Sequence, residues 1–202
     1  MTDTADSVSA WAGVVAPAFT LGAVVLATLL SPSFSWTGNA LSNLGGTVSD
    51  ASTSLTRAVF NGGLVGGGLV GLGFGYALLR SVRNRVELAG VGLFGLVLLA
   101  MALIGVFPEG TDPHVPAAVG FYVLLSVALW TYGIGNVLAG ARTRGLATVA
   151  GGLLNTGAWT VWTVTGEVMR PGLALPEIVG ATVFGVWAVA TAVDVRTRLD
   201  EA

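Results

Sequence analysis

The chain has 202 residues, 53% of them hydrophobic and 10% charged, with a formal net charge of −2 and no Cys. Soluble domains carry about 25% charged residues and disordered chains pair low hydrophobicity with high charge, so both classes are excluded and an integral membrane protein is implied. Near-neutral charge excludes nucleic acid as a partner, and zero Cys excludes disulfides, Fe–S clusters and thiolate zinc sites.

Crossing a hydrocarbon core of about 30 Å takes about 20 mainly apolar helical residues. Six stretches qualify: 10–30, 55–79, 86–106, 117–138, 146–164 and 175–193. The expected fold is all-α: one transmembrane domain over 1–202, a six-helix bundle, multi-pass in the cell membrane. The first stretch lacks a basic n-region and is longer than the roughly 7–15 apolar residues of a signal peptide, so it reads as a retained helix. After it, Asn39 is placed to cap a short helix and Gly45 to end it, with Ala40, Leu41 and Leu44 as its apolar side.

The second stretch carries Gly63, Gly67, Gly71 and Gly75 at four-residue spacing. Small residues so spaced share one helix face and admit a neighbouring backbone. Packing within the bundle is the expected use, and a homo-oligomer through the same faces or a lipid groove is the alternative. Arg57, Glu87 and Glu177 fall at stretch ends, where long side chains snorkel to the interface. Before the fourth stretch, Asp112 and Pro113 form a cap and first-turn pair. Asn155, near the middle of the fifth, is expected to face the bundle, where an amide in lipid must find a partner. Trp130 and Trp187 are expected to pack, and Trp159 and Trp162 to lie in an interfacial belt.

Seven of the nine Arg fall on one side of this topology (Arg80, Arg83, Arg85, Arg142, Arg144, Arg196 and Arg198), against Arg57 and Arg170 on the other. The first set marks the cytoplasmic side, which places both termini inside. The outer connections, about 31–54, 107–116 and 165–174, hold most of the polar residues, and six of the seven Pro fall in or beside them. A site is therefore expected on that face. Glu109 and His114 are the candidate catalytic groups, because an imidazole titrates near neutrality and a carboxylate can orient it. Asn39, Ser42, Asp112, Glu167 and Arg170 are the candidate ligand contacts; the Arg170 guanidinium could hold a phosphate or carboxylate, or simply anchor at the interface. The single His makes a metal site or a haem with two His ligands hard to build, so no metal and no cofactor are expected.

The run Trp36-Thr37-Gly38-Asn39-Ala40-Leu41-Ser42-Asn43-Leu44-Gly45, with Phe107-Pro108-Glu109 and His114 further on, resembles the archaeal and bacterial membrane family called domain of unknown function 998. The resemblance covers about the same six helices and implies the fold and the membrane location, without a known activity. Members often show Asp where this chain has Asn43, and that departure argues against an essential carboxylate there.

Three functions fit. The first is a protein that binds membrane lipid or a small polar ligand at its outer face, or serves an assembly. The second is a membrane-embedded enzyme acting on lipid headgroups at the outer leaflet. The third is a small-solute transporter, disfavoured by the lack of ionisable residues at mid-membrane. The residues leave catalysis open.

Overall fold

The computed structural model describes residues 4–165 and 172–200. Among them there is no strand; six long helices carry the fold: α1 (Thr4–Leu30), α2 (Ser54–Arg80), α3 (Arg85–Val106), α4 (His114–Leu138), α5 (Arg142–Thr165) and α6 (Ala174–Asp200). Five of the six are long and apolar enough to cross a membrane. The other is α5, which is of similar length but rich in Gly and Thr. This is a multi-pass membrane protein.

Local chemistry sets the helix ends. The Thr53 hydroxyl accepts from Thr56 N at the start of α2, and Asn84 Oδ1 accepts from Val86 N and Glu87 N at the start of α3. Pro108 lies just past the end of α3, and Pro116 and Pro176 sit in the first turns of α4 and α6, where no backbone N–H is owed to the helix. Asp112 does not play its expected capping part. The helix begins after it, at His114, with Pro113 as the capping residue and no side-chain cap. The turn is closed by the backbone instead, His114 N donating to Thr111 O.

Each helix packs on its chain neighbours, and α6 closes back on α1. The glycines make this possible. Those of α2 face two ways: Gly63 and Gly67 lie against Ala23 and Thr20 of α1, while Gly68 and Gly71 lie against Ala102 and Leu98 of α3. Gly90 sits against the Tyr132 backbone between α3 and α4, and Gly133 and Gly145 meet between α4 and α5. The centre is filled by rings from four helices. Phe94 stacks at 5.5–5.8 Å against Phe74, Phe184 and Trp187, and Tyr132 stands edge-on to Trp187 at 5.6 Å.

The end carrying Arg83, Arg144 and Arg198 is tied by buried ion pairs. Glu87 is fully buried rather than snorkelling: its carboxylate accepts from Arg83 N at 2.8 Å and Arg83 Nη2 at 2.5 Å. Arg83 also donates to Asn136 Oδ1 on α4. Burial works against the Arg83 charge, but the Glu87 hydrogen bond and charge outweigh it and raise its pKa, so the guanidinium stays protonated. On α6, Asp194 pairs with Arg144 and with Arg198, and Arg198 donates to Ser81 O.

Candidate functional site

The opposite end is covered by the α1–α2 connection, which folds back over the bundle instead of looping away. Ser31 and Ser33 hydroxyls donate to Ala51 O and Asp50 O, closing its base. Within it the short 3₁₀ turn Leu41–Leu44 drives Leu41 and Leu44 into the core. Its cap is Ala40, not Asn39, and Gly45 follows its last residue. The Asn39 side chain works one step further out. Its Oδ1 accepts from Ser35 N, and its Nδ2 donates to Asn43.

Asn43 is the hub of this face. Its Oδ1 accepts from Ala40 N and Asn39 Nδ2, and its Nδ2 donates to Glu109 Oε1 at 2.7 Å. An amide does both jobs at once. An ionised carboxylate in its place would have no proton to give and would face Glu109 with like charge. Glu109 is also held through its backbone, since Thr47 N donates to its carbonyl. Its other carboxylate oxygen, Oε2, is buried and has no partner among the described residues.

Two further ionisable side chains complete the site. His114 is only 5% exposed, and its Nδ1 stands 2.9 Å from Phe107 O. A carbonyl only accepts, so Nδ1 carries the proton, and in the neutral ring Nε2 is left as an acceptor. Glu177, on the first turn of α6, is also 5% exposed, and its Oε2 accepts from Leu41 N at 2.5 Å. Tyr122 OH donates to the Glu177 carbonyl at 3.2 Å. The expected snorkelling of Glu177 is therefore corrected, because the carboxylate is turned inward to hold the 3₁₀ turn.

These residues stand at the mouth of a cavity of about 680 Å³ lined mainly by α4 and α5. Ser42, Asn43, Glu109, His114 and Glu177 lie at its loop end, and Val115, Val119, Val123, Val127 and Trp130 continue down α4. Trp159 and Trp162 line the α5 side and so form a wall of the cavity, more than a belt. The valines are among the exposed side chains of α4, so the cavity is a groove open to the flank of the bundle. From Val115 to Trp130 the helix rises about 22 Å. Some of the deeper polar groups bond one another, while Asn155 Oδ1 and the indole N–H groups of Trp130, Trp159 and Trp162 have no partner among the described residues. Asn155, 1% exposed, donates to Tyr122 O and Ser126 Oγ, and Thr156 bonds Ser126 Oγ. A second, smaller cavity of about 80 Å³ lies inside the bundle and shares Ser42, His114, Tyr122 and Glu177 with the groove.

Of the residues expected at the outer face, Ser42, Glu109 and His114 line the groove. Asn39 stands behind it as support for Asn43. Asp112 is exposed and lines neither cavity. Glu167 and Arg170 lie outside the described residues. Among the described residues no three His, Asp or Glu gather as a metal site. Sequence reasoning passed over Asn43, Tyr122 and Glu177. A signal for Tyr122 was present: His114, Ala118, Tyr122 and Ser126 recur every four residues and so share one face of α4.

The chain belongs to the DUF998 family, described as protein of unknown function, whose profile matches residues 14–194. The match takes in every groove-lining residue named above. No curated protein and no solved structure matches the chain.

Proposed function

We propose that the protein binds a membrane amphiphile in the groove between α4 and α5, its chain along the valine and tryptophan walls and its head at the loop face. One observation carries this reading: a cavity of about 680 Å³ whose ionisable residues gather at one end while its remaining length is mostly apolar. The volume is in the range of ligand pockets, roughly 300–1,000 Å³. A small polar solute would leave most of that wall without a partner, whereas a hydrocarbon chain covers it. The Arg distribution supports an outward loop face, and on that reading the ligand is an outer-leaflet component of the cell membrane.

Val123 lines the groove and is more than half exposed, so a larger side chain there fills the groove without disturbing the core. Native mass spectrometry of gently solubilised wild type is expected to show one retained amphiphile. Val123→Trp should lower its occupancy by about tenfold, the cost of overpacking a fitted site. Leu96→Trp, on the exposed face of α3, should leave it unchanged. Equal occupancy in wild type and Val123→Trp, or no retained amphiphile in wild type, rejects the reading.

A second reading, headgroup chemistry, is favoured by His114. Its Nδ1 is held by Phe107 O and it lines the same cavity as Ser42, an arrangement suited to a general base. Bound amphiphile recovered intact after long incubation with active protein would count against it.

A further inference from the structure

We infer that the mouth of this groove selects a head that donates hydrogen bonds and carries no net negative charge, an ammonium or a polyhydroxyl group, over a phosphate or carboxylate. The inference rests on the groove reading above and concerns which amphiphile fits it.

The argument is an inventory of what the mouth offers. Glu177 is nine-tenths buried, and Leu41 N occupies only one of its carboxylate oxygens. Its other oxygen has no hydrogen bond among the described residues, and the residue lines both cavities. In its neutral form His114, equally buried, commits its one ring proton to Phe107 O and presents Nε2 as a second acceptor. Glu109 spends one oxygen on Asn43 and keeps the other unpartnered. At the loop end the donors beside the two carboxyl groups are already engaged, Leu41 N on Glu177 and Asn43 Nδ2 on Glu109, and the unpartnered indole N–H groups of Trp130, Trp159 and Trp162 belong to the helix walls. Ser42 alone can give or accept. Among the described lining residues there is no Arg and no Lys.

An anionic head at this position would face the Glu109 carboxylate, with no Arg or Lys among the described lining residues to offset the repulsion. A head bearing N–H or O–H groups meets acceptors in surplus and satisfies them. Ammonium and sugar heads share that chemistry, and they differ in whether the carboxylate charge contributes.

The test uses amphiphiles with one tail and different heads: dodecylammonium, dodecyl maltoside, dodecyl phosphate and dodecyltrimethylammonium, each with a brominated tail. The protein is held in amphipol, and binding is read as quenching of the groove tryptophans, with Val123→Phe, which fills the groove without adding a fluorescent indole, to subtract binding elsewhere. Dodecylammonium or dodecyl maltoside is expected to quench at concentrations about tenfold lower than dodecyl phosphate, the weight of one or two charge-assisted hydrogen bonds. Glu109→Gln should reduce the ammonium preference severalfold and leave the maltoside curve nearly unchanged, which separates the two sources. Equal or tighter binding of dodecyl phosphate overturns the inference, and its loss in Arg170→Ala would assign the anion to Arg170. Equal binding of dodecyltrimethylammonium and dodecylammonium overturns it too, because charge alone would then suffice. If none of the four quenches the wild type, it is the groove reading itself that fails.

Discussion

Gly145→Ala is expected to destabilise the bundle by about 2 kcal/mol, although alanine is the better helix former by about 1 kcal/mol. The cause is the crossing of α4 and α5. A Cβ built at Gly145 stands 2.5 Å from the Gly133 carbonyl oxygen and 2.8 Å from Val137 N. Both are backbone atoms, which have no rotamer to retreat into, so the helices must part. Gly133 meets α5 reciprocally, its Cβ position 2.7 Å from the Gly145 carbonyl. Gly157, on the same helix, has nothing within 4 Å of its Cβ position. Gly157→Ala gains the propensity without the collision and should be neutral or slightly stabilising. Thermal unfolding of both variants in one detergent, followed by tryptophan fluorescence, measures the difference. Matching midpoints would mean that the close approach of α4 and α5 is absent in solution.

Glu87→Ala is expected to cost about 3 kcal/mol, the penalty for removing one partner of a buried ion pair. The carboxylate is fully buried and serves the Arg83 backbone N–H and its guanidinium together. Its loss leaves that N–H without an acceptor and the guanidinium with Asn136 Oδ1. The Arg83 side chain is 27% exposed, so part of its charge can turn to water, which keeps the cost at the lower end of the buried-pair range. Glu87→Gln retains an acceptor for Arg83 N and should fall between alanine and wild type. The same unfolding assay reads all three proteins. A Glu87→Ala midpoint indistinguishable from wild type would mean that the pair contributes nothing to the fold.

The helices were readable because lipid leaves little choice. Uncharged runs of the right length had to become helices, and Thr53, Asn84 and Pro108 mark ends close to those expected. The use of α2's glycines within the bundle was also readable, since four-residue spacing defines a face. Which helix meets that face was not, because periodicity carries no information about the partner. In fact two helices share the ladder, α1 and α3. At the site, Glu109, His114 and Ser42 stood out by residue type. Glu177 did not, because a carboxylate one turn into a helix looks like a snorkelling end. Its partner Leu41 is 136 residues away in sequence and offers only a backbone N–H. Asn43 was undervalued for a related reason. Its importance lies in giving and accepting at once, which no charge count detects. Asp112 shows the opposite error, a good local cap signal that the backbone turn made redundant.

The central claim is that one amphiphile lies along α4 beside Val123. A photo-reactive benzophenone amino acid placed at position 123 tests it directly, with the same residue at position 96 on the exposed face of α3 as the reference. Irradiation in native membranes, followed by mass spectrometry of the adducts, should show position 123 capturing one lipid species far above its membrane abundance, and position 96 capturing lipids in proportion to the bilayer. Adducts at position 123 that mirror the bulk membrane would contradict the claim and make the groove an ordinary lipid-facing surface.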